Sequence, residues 1–308
     1  MSLHVFANFV TPYGTAANNR AETEGNITTL QKLLWQGETH STVSAEAIRF
    51  ALRRRLAPLE KDGTNRNWDE DVRVNEWQEP DFKGWAKETG KTFIDDDLLG
   101  YMTAEAAKSE ADGGDGKGSA NVRRAVLEVT RAVSLTPWVG DMTFNAASPG
   151  ATPSAQKKGS NPVPYGTEVH ATRYQYGIAL TPDRLRDKSR AAKAIDALCN
   201  LGTVAGNHGR FLFDFSPDAV VIRITQDPAP RLLYCFETPD DGKTVTAESL
   251  IKRIESGDID KGEIIVGVSD KDSPLANQLK QAGIEPLGVK AACAKAVAAI
   301  NGELGIEG

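Results

Sequence analysis

Trp35-Gln-Gly-Glu-Thr-His-Ser-Thr-Val-Ser-Ala-Glu-Ala-Ile-Arg-Phe-Ala-Leu-Arg-Arg-Arg-Leu56 joins a polar, glycine-containing turn to an arginine-bearing helix. Val43, Ala47, Ile48, Ala51, Leu52 and Leu56 recur at helical spacing and give that helix a buried side. The spacing predicts a helix over 42–57, ended by Pro58, which cannot continue it. Arg49 and Arg53 stand four apart and share a face, with Arg54 and Arg55 beside them. His40, Ser41, Thr42 and Ser44 put short polar groups where the helix is expected to begin. A helix N-terminus has free backbone N–H groups and the positive end of the dipole, which together with guanidinium groups suits phosphate. The same residues also fit a solvated amphipathic helix whose arginines pair with Glu46 and its neighbours. The helix alone leaves both readings open.

Upstream, Leu3 to Val10 reads as a strand, Thr11 to Asn26 as a Gly/Asn/Thr-rich loop, and Ile27 to Trp35 as a short helical turn. Downstream, 60–120 changes character. Trp68, Trp77 and Trp85 are interleaved with acids and Pro80, which predicts an inserted lobe with its own partial core. Residues 112–119, rich in Gly, predict a flexible tip. Val126 to Leu135 has strand composition, and Thr167 to Leu180 alternates. With the Ala/Ser/Pro/Gly/Lys-rich loop 145–164 between them, these two runs predict a long hairpin. Pro182 opens a basic helix to about Leu201, with Leu185, Ala192, Ile195, Ala197 and Leu198 inward and Arg184, Arg186, Lys188, Arg190 and Lys193 outward. A glycine loop, 202–209, follows. Strands are expected at Ala219–Thr225, Arg231–Phe236 and Glu263–Val268, and helices at 246–257, 273–283 and 289–301. The order strand, helix, insert, strands, helix, strands fits an α+β, ferredoxin-like core with long insertions.

The chain has 308 residues, 40% of them apolar. That suffices for one large domain or two modest ones. No apolar run approaches the roughly 18 residues of a membrane span, and the N-terminus lacks a secretory pattern, so a cytoplasmic protein is expected. Cys199, Cys235 and Cys293 are far apart and odd in number, so three reduced thiols are expected. The net charge of −6 argues against nucleic acid until its distribution is considered: residues 61–120 hold 8 basic and 15 acidic residues, whereas 121–240 hold 14 and 11. A neutral-to-basic core beside an acidic lobe is compatible with a local nucleic-acid groove.

Catalytic signatures are weak. His4, His40, His170 and His208 form no metal-binding pair, and no nucleophile elbow is present. Asp95-Asp96-Asp97 reads as a solvated turn or helix start, and no metal or other cofactor is expected. Gly202-x-x-x-Gly206-Asn207-His208-Gly209-Arg210 ends a helix in a tight turn. It also bares main chain to a polyanion, with Asn207, His208 and Arg210 as donors. It is not a Walker loop. Asn18-Asn19-Arg20 fits a turn, and Arg123 and Arg124 open the predicted hairpin. Lys157 and Lys158 fall in the mobile loop.

Five segments, in order, resemble the backbone subunit of type I CRISPR Cascade complexes, within the RAMP superfamily, and more narrowly its DevR branch of type I-B systems. They are His4–Arg20, Trp35–Leu56, Asp95–Met102, Arg123–Leu135 running on to Thr167–Tyr176, and Gly202–Pro217. The resemblance implies an RNA-recognition-type palm (1–57 and 167–236), an inserted acidic fingers lobe (58–121), a thumb hairpin (122–166) and a C-terminal extension of the palm (237–308). It implies a non-catalytic protein whose copies line up along one guide RNA, with target DNA reached through the guide, alongside other Cascade subunits and no membrane. RNA contacts then fall to Asn18, Asn19, Arg20, His40, Ser41, Ser44, Arg49, Arg53, Arg54, Gly206, Asn207, His208 and Arg210, and thumb or subunit contacts to Arg123 and Arg124. The alternatives are an endoribonuclease that processes precursor RNA with His40 as general base, and a small-molecule enzyme with a glycine-loop phosphate site.

Overall fold

The computed structural model describes residues 2–17, 23–86, 90–104, 120–150, 161–204, 212–239 and 242–306. Among these, eight strands build one mixed-length antiparallel sheet. They are β1 (His4–Val10), β2 (Lys32–Trp35), β3 (Glu38–Val43), β4 (Leu127–Val129), β5 (Ala132–Ser134), β6 (Tyr174–Leu180), β7 (Ala219–Thr225) and β8 (Ile264–Val268). The spatial order is β8-β7-β1-β6-β5-β3-β2, with β4 also on β6. The central register runs Val5 opposite Leu180 and His4 opposite Thr225.

Both faces of the sheet are covered, which is why the central strands are apolar almost throughout. Val5, Ala7 and Phe9 point to one core and Phe6 and Val10 to the other, as strand alternation requires. The first core lies under α1 (Ala45–Leu56), α2 (Ile94–Leu99), α3 (Arg190–Cys199) and α6 (Val289–Leu304). The second lies under α4 (Glu248–Glu255), α5 (Pro274–Gln281) and the segment 232–236. Gly267 lets α6 approach: a Cβ there would stand 2.8 Å from that of Ala292.

Several expectations change. Ile27–Trp35 is not a helical turn; it contributes the short strand Ile27–Thr28 and then β2, which closes on β3 through a Gln36-Gly37 turn with both residues at positive φ. A two-residue turn of that hand matches strand twist, and it outweighs any helical tendency of the run. The strand run 126–135 is broken at Thr130, whose hydroxyl accepts from the Gly177 N–H at 2.8 Å. Arg231–Phe236 is not a strand. Tyr234 N–H donates to Asn8 Oδ1 at 3.0 Å and Phe236 N–H to Gln175 Oε1 at 3.2 Å, so side chains of β1 and β6 take the bonds that a ladder would have used. The basic helix begins at Arg190, not Pro182; only Pro182–Arg184 forms a short 3-10 turn.

The three reduced thiols are also corrected. Cys199 at the end of α3 and Cys293 in α6 form a disulfide with Cα atoms 6.4 Å apart, and Cys235 is free and buried. Burial pushes the Cys235 thiol up to about 12.

Within 60–104, the strands Arg66–Asp69 and Val74–Trp77 pair as a hairpin, and Phe82 stacks on Tyr101 at 3.7 Å and meets Trp77 edge-on at 5.6 Å. The strands Met142–Ala147 and Val163–Thr172 form a second hairpin, which also pairs with Gly14–Ala17. The expected pairing of 126–135 with 167–180 is found inside the main sheet, where β4 and β5 pair with β6, and the separate hairpin joins Met142–Ala147 to Val163–Thr172 instead. No helix among the described residues is long and apolar enough to cross a membrane.

Candidate nucleic-acid interface

At the end of the sheet where β1 finishes and β6 and β7 begin, several connections leave side by side. Thr11 accepts at its hydroxyl from Tyr174 N–H at 2.9 Å, and Gly14–Ala17 lies against Val169–Thr172. Phe213 and Phe215 are buried against Tyr174, and a Cβ on Gly14 would meet the Phe213 ring at 3.4 Å. Ala17 and Leu212, the described flanks of 18–22 and 205–211, therefore belong to neighbouring strands of chain. Asn18, Asn19, Arg20, Gly206, Asn207, His208 and Arg210 themselves lie outside the described residues.

A buried polar network braces this end. Ser41 Oγ lies 2.6 Å from His170 Nδ1 and 2.7 Å from Tyr174 OH. Thr136 Oγ1 bridges His170 Nε2 at 3.3 Å and Thr172 Oγ1 at 2.8 Å. Burial, then the neighbouring His40, lowers His170 to about 4, so at neutral pH it is an uncharged linker and offers phosphate no charge. Arg173 donates to Thr11 O at 3.0 Å and to Asp218 Oδ2 at 2.5 Å, tying β1, β6 and β7 together.

His40 and Ser41 sit inside β3, not at a helix start, and point to opposite faces. His40 Nδ1 donates to Ser134 O at 2.7 Å. The helix cap is Ser44, whose hydroxyl accepts from Ala47 N–H at 3.2 Å. β-branched Thr42 and Val43 extend the strand that far, which shortens the expected helix by three residues.

The arginines of α1 also differ from a stripe facing outward. Arg49 donates to Leu99 O, one of the carbonyls that α2 leaves unpaired. Arg53 faces Asp95 at 3.6 Å, and burial lowers it to about 10, where it remains a cation. Arg54 and Arg55 lie in the open, and Arg54 pairs with Glu70 at 2.6 Å. Arg123 donates to Asp97 Oδ1 at 2.6 Å and stacks over Trp85 at 4.2 Å, while Arg124 is exposed.

The partners of these arginines overturn the solvated reading of the acidic triplet, since Asp95, Asp96 and Asp97 are all buried. Asp97 accepts from Arg123, from Arg190 Nη1 at 3.0 Å, and from the backbone N–H groups of Arg186 and Asp187 at 3.1 Å. Those two N–H bonds fix 186–187 in a non-helical course and explain the late start of α3. Arg190, expected outward, is buried between Asp97 and Glu60. Burial and then the charge of Asp95 raise Asp96 to about 7. Asp95 accepts from the N–H groups of Asn65 and Arg66.

Sequence reasoning missed Arg131. It donates to Thr42 Oγ1 at 3.1 Å and Gln31 Oε1 at 3.0 Å beside the start of α1. Nothing in a run of strand composition singles it out.

Comparison with known proteins agrees with this architecture. Residues 13–241 match the family model described as CRISPR-associated negative auto-regulator DevR/Csa2. A curated relative from Myxococcus xanthus (strain DK1622), "CRISPR-associated protein Cas7/Cst2/DevR", is 64% identical over 268 residues, 87% of each chain. Two solved chains share the fold. One, from a "CRISPR RNA-guided surveillance complex, pre-nicking", has TM-score 0.54 at 14% identity, covering 96% of this chain and 100% of that one. The other, from a "CRISPR RNA-guided surveillance complex", has TM-score 0.53 at 15% identity, covering 97% and 99%. With a family model spanning well over half of its length and so close a relative, the chain belongs to the CRISPR-associated DevR/Csa2 family.

Proposed function

We propose that this protein is a non-catalytic backbone subunit that binds CRISPR RNA and lines up in several copies along it within a Cascade-type complex. The observation that carries the reading is the order β7-β1-β6-β4 with α1 and α3 on one face. That order supports a ferredoxin-like, RNA-recognition-type palm. The lobe around 60–104 serves as fingers and the 142–172 hairpin as thumb. RNA lies at the end of the sheet from which 18–22 and 205–211 depart. Asn18, Asn19, Arg20, Gly206, Asn207, His208 and Arg210 contact sugar and phosphate in this reading, and Ser44 is kept to capping α1. Contact of that kind is indifferent to guide sequence and leaves the bases free to pair with target DNA. Arg49 and Arg53 support the interface from behind by holding α2, and Arg54 and Arg124 remain accessible to phosphate or to a neighbouring copy. Head-to-tail contacts between copies generate an open helical filament.

The test is co-expression with a CRISPR array and the partner subunits, followed by extraction and sequencing of the bound nucleic acid. Discrete guide-length RNA, stripped by high salt, is expected. Arg20→Glu with Arg210→Glu is expected to lower RNA per protein at least tenfold while the melting temperature is kept. Unchanged RNA content in that folded variant overturns the interface, and His40-dependent cleavage of repeat RNA overturns the non-catalytic reading.

A further inference from the structure

The face of the sheet opposite α1 and α3 holds a cavity of about 700 Å³, bounded by β2, β3, β5 and the segment 231–238. That volume is within the range of small-ligand sites. One wall is aromatic: Trp35 and Tyr234 meet with ring centroids 5.0 Å apart at 53°. They touch one another, so a planar ligand stacks on the pair and does not insert between them. Tyr234 is fixed, its hydroxyl donating to Arg131 O at 2.8 Å and its N–H to Asn8 at 3.0 Å. Gly177 makes the close seat possible, because a Cβ there would stand 2.5 Å from Leu233 Cδ2.

The floor is polar. His40 uses Nδ1 on Ser134, and its Nε2 has no hydrogen-bond partner among the described residues. The rim carries the guanidinium groups of Arg231 and Arg253. Arg231 is held by Asp227 at 2.6 Å, but the nearest acid to Arg253 is Asp258, at 4.0 Å, so Arg253 keeps most of its donors for solvent or a ligand. The backbone is also unusual here. Among the described residues five non-glycine residues have left-handed φ, and three of them, Gln36, Arg231 and Tyr234, line this cavity. The β2–β3 turn accounts for Gln36. The Leu233–Tyr234 turn accounts for Tyr234; Arg231 lies in no turn or strand, and strained positions gather where a ligand is gripped.

We propose that this cavity binds a nucleotide: an unstacked base lies on Trp35 and Tyr234, its edge meets Gln36 and His40, and its phosphate meets Arg253 and Arg231. An aromatic pair accepts any base by its π face, and a cationic rim selects phosphate over an uncharged heterocycle. The base can come from a free nucleotide or from an unpaired position in a strand. The cavity lies on the face of β3 that His40 occupies, and Ser41 with its partners His170 and Tyr174 lies on the other. The site does not rest on the RNA-backbone reading.

Isothermal titration of the full chain with each nucleoside monophosphate tests it, with ribose 5-phosphate and inorganic phosphate as controls and a ten-nucleotide single-stranded RNA as a second arm. One nucleotide per chain is expected, with the controls at least tenfold weaker. Trp35→Ala is expected to weaken binding at least tenfold and Arg253→Ala about threefold, both variants keeping the wild-type melting temperature. Trp35-sensitive binding of the oligonucleotide alone assigns the base to a strand and still supports the site. Nucleotide affinity equal in wild type and both folded variants overturns it, as does the absence of binding in both arms. Arg20→Glu with Arg210→Glu leaves this binding intact if the two sites are separate, so failure of either reading is distinguishable from failure of the other.

Discussion

At the residue scale, one carboxylate organises more of the molecule than any of the arginines around it. Asp97 receives two guanidinium groups and two backbone N–H groups, and through them joins α2, the start of α3 and the strand Ala120–Arg123. A buried ion pair adds little net stability compared with an apolar replacement, but removing one partner leaves the other charge uncompensated. Asp97→Asn keeps the shape and deletes the charge, so Arg190 loses its buried carboxylate, keeping Glu60, the more distant Asp187 and Thr92, and Arg123 loses its ion pair. A loss of about 3–5 kcal/mol in urea unfolding is expected. A loss below about 1 kcal/mol would show that the guanidinium groups find water instead, and would remove Asp97 from the centre of the fold. The sequence displayed the triplet plainly. It could not show burial, because the same three letters serve a solvated turn; the distinguishing partners, Arg123 and Arg190, lie 26 and 93 residues away.

At the element scale, α3 and α6 are held by packing and by the Cys199–Cys293 bond, which closes a loop of 94 residues. Cross-linking so long a loop restricts the unfolded chain, with typical contributions of about 2–4 kcal/mol. Cys199→Ser is expected to lower unfolding free energy by that amount under oxidising conditions and to make little difference under reducing ones. Alkylation and intact-mass analysis of the native protein provides the direct check: two blocked thiols are expected, and three free ones would refute the pairing. Sequence spacing does not reveal this bond. It requires the C-terminal helix to cross onto α3, and that docking depends on Gly267 and a column of small residues including Ala292 and Ala296. By contrast α1, with its serine cap and apolar spacing, was legible to within three residues, because its signals are local.

At the scale of the whole molecule, the family match ends at residue 241, yet the fold does not. β8, α4, α5 and α6 form part of the two cores, and they cover Phe6, Val10 and Val221 on one face of the sheet. A chain cut after residue 245 would expose these side chains, each worth about 1.5–3 kcal/mol when buried. It is expected to be insoluble or to bind a hydrophobic dye, as measured by recovery in the soluble fraction and dye fluorescence. A soluble, cooperatively melting fragment would make the C-terminal part a separate unit. The amino-acid sequence by itself determined the strands β1, β7 and β8, the helices α4 to α6, the alternation that lets β1 face two cores, α1 to within three residues, and the family. All of these are written in neighbouring residues and their period. Tertiary structure alone decided that Arg49 and Arg53 of α1 turn toward α2, that 231–236 is a side-chain-held turn over a cavity, that His40 and Ser41 serve different faces, and that two distant cysteines meet. Each of those depends on contacts across the sheet, where burial and competing partners, not local propensity, set the lowest free energy.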